Sequence, residues 1–161
     1  MRDVLVVNAS PLILLSRIGR LDLLPALGGS VVVPHSVFME LQAGNHADGA
    51  ADAVRANPSL VVFPDVAAPG LLLTWDLGAG ETQVLAHCLA RKGATAVLDD
   101  RAARRCAGAF DIAMLGTLGV VVRAKHDGLI PEAKPLLEDL RRQGLRLKPE
   151  LVRAVLGRVG E

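Results

Sequence analysis

Residues 4–16 read VLVVNASPLILLS. Val4–Val7 is a short apolar run rich in β-branched residues, the pattern of a buried strand. Leu12, Ile13, Leu14 and Leu15 are equally apolar, but Ser10 and Pro11 stand before them as a helix start, a side-chain cap followed by a proline at the first helical position. The spacing predicts a helix from Pro11 to about Ile18. A buried strand thus gives way within a few residues to a buried helix, and the break is filled by an amide, Asn8, and a hydroxyl, Ser10.

The same alternation continues along the chain. Val31–Val33, Leu60–Phe63 and Ala94–Leu98 read as further short buried strands. Helical patterns fall between and after them, at His35–Gln42, Ala47–Ala56, Gly80–Arg91, Arg101–Cys106, Leu118–Lys125, Pro131–Gln143 and Lys148–Val159. Strands that alternate with helices predict a parallel sheet covered on both faces, an α/β/α sandwich. Pro64–Leu77 is the longest expected loop. No repeat or low-complexity linker divides the 161 residues, so one domain spanning residues 1–161 is expected, with the helices of about 131–159 packed on it.

Composition narrows the function. Net charge is +1, so any polyanion contact must come from a local patch. Three Phe, one Trp and no Tyr leave little for stacking bases on aromatic platforms. Cys88 and Cys106 have no metal-ligand or disulfide-framework spacing, and are expected to be reduced thiols on helix faces. No secretory signal is visible, and the uncharged run Ile112–Val122 is far short of the ~18–20 residues that span a bilayer, so a cytoplasmic protein is expected.

In a parallel α/β sheet, ligands bind beyond the carboxyl ends of the strands. Asn8 follows the first strand, and Asp99 and Asp100 follow Ala94–Leu98. Glu40 lies in the apolar helix after the second strand, and Glu81 opens the helix behind Gly78 and Gly80. Each has an ordinary reading on its own. Glu40 fits a solvated helix face, Glu81 first-turn capping and Asp99-Asp100 an N-cap pair. Together they suggest an acidic cluster. Two carboxylates ~4 Å apart repel by roughly 4 kcal/mol at an effective dielectric near 20, so several need a cation. Oxygen ligands without His or Cys point to Mg²⁺ or Mn²⁺.

Five stretches then occur in order: VVNASPLILLSRIGRLDLL, VVVPHSVFMEL, LGAGETQVLAHCLA, AVLDDRAARRCA and GTLGVVVRAKHDGLI. This series resembles PIN-domain proteins, in particular a VapC-related prokaryotic subgroup, over Val4 to about Leu147. The resemblance implies a compact α/β/α fold with a central parallel sheet and a Mg²⁺-dependent ribonuclease, often a toxin silenced by a cognate antitoxin. It also implies two-fold pairing into a homodimer, in which the C-terminal helix lies at the interface or offers the antitoxin a docking face. Its strand-end acid falls on Asn8, the neighbouring hydroxyl on Ser10, the second acid on Glu40 and the third on Glu81. The fourth falls on Asp100, with Asp99 adjacent. Metal ligands are therefore expected at Asn8, Glu40, Glu81 and Asp100, with catalysis by Glu40, Glu81, Asp100 and Asp99. Asn8 departs from the family's aspartate, since an amide oxygen can coordinate Mg²⁺ but supplies no charge. That departure keeps a second reading open, a PIN fold that binds RNA or a protein with a weakened site.

Three weaker signals remain. Arg101, Arg104 and Arg105 are expected either to hold RNA phosphates or to form a solvated helix face. Gly116-Thr117-Leu118-Gly119 marks a turn into a helix, and His126 is expected to be a charge at a helix C-terminus. A phosphatase or response-regulator-like domain also places Asp pairs at strand ends, but here the pair comes late and no Lys-bearing strand end follows it.

Overall fold

The computed structural model describes residues 3–44 and 49–161. Its sheet contains β1 (Val4–Val7), β2 (Ser30–Pro34), β3 (Leu60–Phe63), β4 (Thr95–Val97) and β5 (Ala113–Leu115). Their order is β3-β2-β1-β4-β5, and every neighbouring pair is parallel. Leu5 of the central strand stands level with Val31 on one side and Thr95 on the other. Leu5, Val6 and Val7 are all buried although their side chains alternate between faces, so helices cover both sides of the sheet. This is the expected α/β/α sandwich, and one apolar cluster of Leu, Val and Ala runs through it.

The helices are α1 (Ala9–Arg17), α2 (Leu23–Leu27), α3 (His35–Ala43), α4 (Ala50–Ala56) and α5 (Gly70–Leu73), followed by α6 (Ala79–Ala90) and α7 (Arg101–Ala109). Then come α8 (Thr117–His126), α9 (Lys134–Arg142) and α10 (Pro149–Arg158). The expected start of the fourth helix at Ala47 lies outside the described residues.

The first helix begins two residues earlier than its sequence suggests. Asn8 is the capping position, with extended backbone (φ −83°, ψ 170°), and the first helical bond runs from Leu12 N to Asn8 O. Ser10 is therefore a first-turn residue rather than the cap. Pro11 is tolerated third in the helix because the N–H groups of a first turn have no partner within it. That shift frees the Ser10 hydroxyl for other work.

β5, α2 and α5 were not expected from the pattern. Ala113-Met114-Leu115 has no β-branched residue, and its pairing with β4 holds it extended. The two C-terminal helices differ from each other. In α9, Leu137 and Leu140 are buried, whereas in α10 only Leu156 is, and Leu151 remains 46% exposed.

Candidate active site

β1 has β2 on one side and β4 on the other, so connections leave it in opposite directions and a crevice opens beyond the carboxyl ends of β1 and β4. Asn8 is the first residue past β1, and its N–H donates to Val97 O of β4 at 2.9 Å. Asp99 follows β4 two residues on. Glu40 comes from α3 and Glu81 from the first turn of α6. Asn8, Ser10, Glu40, Glu81 and Asp99 line one cleft of about 1080 Å³.

Each carboxylate is placed by a nearby backbone feature. The Gly80 N–H, one of the unpaired donors at the start of α6, donates to Glu40 Oε1 at 2.9 Å. A Cβ on Gly80 would stand 2.6 Å from that oxygen, so only glycine allows the approach. Gly78 does the same for Glu81, whose Oε2 would lie 2.6 Å from a Cβ there. Asn8 is 4% exposed, and its Nδ2 donates to Glu81 Oε1 at 3.5 Å while its Oδ1 has no partner.

Asp99 is held from the other side. It accepts from Thr117 N at 2.7 Å and Thr117 Oγ1 at 2.6 Å, with a longer bond from Ser10 Oγ at 3.4 Å. Gly116 leaves room for it, since a Cβ there would lie 3.0 Å from Asp99 Oδ1. Burial pushes the Glu40 carboxyl above its ordinary range, the Gly80 N–H opposes that shift, and the charge of Glu81 adds to it. Two acids near enough to sense each other thus sit beside an amide whose carbonyl oxygen is buried and unpaired.

A family model described as PIN domain matches residues 4–161. The chain belongs to the PIN-domain family. Comparison with curated proteins finds no match. PIN domains are generally nucleases that bind nucleic acid and typically use divalent metals.

Within this PIN domain the expected site residues divide. Asp99 enters the cleft, but Asp100 does not line it; Asp100 caps α7, its Oδ2 accepting from Ala103 N at 2.9 Å. One residue separates a strand-end acid from a helix cap, and the chain turns between the two. Arg104 lines the cleft and donates from Nη1 to Leu98 O at 3.2 Å, whereas Arg101 and Arg105 are exposed and do not line it. The arginines that join Arg104 there are Arg17 of α1 and Arg146 of the segment before α10.

The sequence reading missed Thr117, Arg17, Arg146 and the purpose of three glycines. A usable signal was present, because Gly78 and Gly80 stand just before Glu81 and Gly116-Thr117 opens α8.

Among the described residues, no three His, Cys, Asp or Glu side chains stand close enough to hold an ion by themselves. The donors still suit a hydrated hard cation. Asn8 Oδ1 is buried and lacks a partner, Glu40 Oε2 and Glu81 Oε2 are bonded to no neighbour by any hydrogen bond seen here, and all of these donors are oxygens. Mg²⁺ keeps several of its waters when protein-bound, which suits a site offering few direct ligands, and Asp99 lines the same cleft.

Proposed function

We propose that this PIN domain is a metal-dependent endoribonuclease related to the VapC subgroup, working in the cytoplasm as the toxin of a toxin–antitoxin pair. The observation that carries this reading is the shared cleft: Glu40, Glu81, Asp99 and the unpaired Asn8 carbonyl meet there with three arginines. The chain acts as a single domain and pairs as a homodimer. Light scattering should then give about twice the 16.9 kDa chain mass, and a monomer mass would remove the pairing.

Asn8, Glu40 and Glu81 would hold Mg²⁺ or Mn²⁺. Such an ion supplies Lewis acidity at a phosphoryl oxygen and a lowered pKa for a water it binds. The protein's own groups do the rest. Arg104, Arg17 and Arg146 neutralise and orient the RNA backbone. Glu40 would accept the proton of the attacking water. Asn8 Nδ2 keeps Glu81 in place, and Thr117 with Ser10 keeps Asp99 in place. In-line attack on the phosphodiester leaves a 5′-phosphate and a 3′-hydroxyl.

A second reading, a weakened PIN fold that binds RNA or a protein without cutting, is favoured by the Asn8 amide, which brings no charge to the site. One experiment separates the two. Pure protein is incubated with a mixed RNA panel in Mg²⁺, Mn²⁺ or EDTA, and new ends are sequenced. New 5′-phosphate ends in metal and none in EDTA are expected. Intact RNA in both metals, with RNA still bound, would replace the nuclease by the binding module.

A further inference from the structure

The cleft has a second end that the acids do not explain. Ile13 of α1 and Leu118 and Val122 of α8 line it together with Leu147, Leu151 and Val155 from the C-terminal segment. These side chains are half-buried or exposed, so their apolar surface faces open space. Arg17 and Arg146 line the same cavity, and Arg17 Nη1 donates to Gln143 O at 3.4 Å, tying α1 to the C-terminal segment. At about 1080 Å³ the cleft exceeds the ~300–1,000 Å³ usual for small-ligand pockets, and so has room for more than a scissile phosphate.

We propose that the apolar end is a base subsite, which takes one unstacked nucleobase of single-stranded RNA next to the phosphodiester lying at Glu40, Glu81 and Asp99, while Arg17 and Arg146 hold the intervening backbone. This rests on the nuclease reading of the same cleft. Three features select a nucleotide over other occupants. Acids, arginines and an apolar wall share one continuous cavity, matching the phosphate and base of a single ligand. The arginines meet the charge of the backbone, which an apolar peptide would lack. A base can reach the wall only out of a stack, so single strands and loops are admitted and duplexes are not. Among the described residues lining the cleft none is aromatic, so the base is held between aliphatic walls and the subsite reads shape more than sequence.

The test is fluorescence anisotropy in EDTA, where no strand is cut, with a labelled single-stranded RNA hexamer and an abasic hexamer of the same backbone. The intact protein should bind the base-bearing strand about tenfold more tightly. Leu151→Gln, a neutral substitution at an exposed position, should lower that ratio several-fold with little change in abasic binding; Leu151→Ala, a milder change, should lower it in the same direction. Arg146→Glu should weaken both strands alike and flatten the salt dependence. Equal affinity for the two strands, or a ratio unmoved by both Leu151 variants, overturns the base subsite and leaves the nuclease reading standing. Failure to bind either strand overturns the subsite as well, and the cleavage panel in Mg²⁺ and Mn²⁺ decides the nuclease reading separately. Capture of an amphipathic peptide in place of RNA would make the wall a protein-docking face and overturn the subsite as well.

Discussion

Asn8→Asp tests how the cleft balances its charge. Asn8 Nδ2 lies 3.5 Å from Glu81 Oε1 and donates to it, so the substitution replaces an attraction by two carboxylates in contact. At that distance two unit charges repel by about 5 kcal/mol at an effective dielectric near 20, and by about 1 kcal/mol in bulk water. Protonation sets the upper limit. Holding one carboxyl neutral at pH 7 against a reference pKa near 3.9 costs about 4 kcal/mol, at 1.36 kcal/mol per unit. The metal-free variant should therefore be about 1–4 kcal/mol less stable than the parent at pH 7. The sign of the pH dependence follows from the raised folded-state pKa of the pair. The penalty is full above that value, shrinks as pH falls through it, and is gone near the ordinary carboxylate pKa. A cation that binds only the folded state reverses the effect, contributing about 2.7 kcal/mol at a concentration of a hundred times its Kd. Urea denaturation in EDTA at pH 7 and pH 4, and in Mg²⁺ at pH 7, measures all of this. The variant should be weaker in EDTA at pH 7, lose most of that penalty at pH 4, and gain more from Mg²⁺ than the parent does. Equal stability in EDTA at both pH values, or a Mg²⁺ gain no larger than the parent's, would refute the charge argument.

Gly80→Ala pushes a methyl against Glu40 Oε1, so the Glu40 side chain should swing off the Gly80 N–H, lowering Mg²⁺ affinity at least tenfold while stability changes by less than about 1 kcal/mol, read by calorimetry and urea denaturation. Thr117→Val removes the hydroxyl donor to Asp99 while keeping the backbone donor; it should destabilise by about 1–2 kcal/mol and reduce RNA cleavage, and Thr117→Ser should restore both. Because burial raises the Glu40 pKa, Mg²⁺ binding should weaken on acidification at a higher pH than an ordinary glutamate would give, and Glu40→Gln should abolish that early loss in a titration series. Glu161 accepts from Ala133 N at 2.6 Å and Lys134 N at 3.0 Å, latching the end of α10 to the start of α9. These donors hold its carboxyl below the ordinary range, so the latch is present above that range and is lost as pH falls through its lowered value. Glu161→Gln should speed hydrogen exchange across Pro149–Arg158 and leave the sheet unchanged.

The sheet was legible where sequence alone decides burial. Val4–Val7 and Val31–Val33 carry β-branched runs that only a doubly covered strand accommodates, and both are strands. β5 was not legible, because Ala113-Met114-Leu115 becomes a strand through its pairing with β4, a contact that no local pattern records. In the same way, Ser10 looks like a cap from its neighbours but lies inside α1, and its hydroxyl reaches Asp99, 89 positions away.

For the site, the strand-end rule pointed to Asn8 and the Asp99-Asp100 pair, and the helices behind the strands pointed to Glu40 and Glu81; of these, Asn8, Glu40, Glu81 and Asp99 line one cleft. The rule could not choose within the pair. Asp99 and Asp100 differ by one position, and the choice is made by partners far along the chain. Thr117 gives Asp99 two donors, while the first turn of α7 gives Asp100 one, so the former is drawn into the cleft and the latter to the helix. The glycines carry the same information in another form. Gly78, Gly80 and Gly116 each stand where a Cβ would press on the carboxylate of Glu81, Glu40 or Asp99. Acids brought this close need both a counter-charge and clear space. The sequence supplies the space with glycines beside the acid positions, and it lowers the charge to be balanced by placing an amide at Asn8.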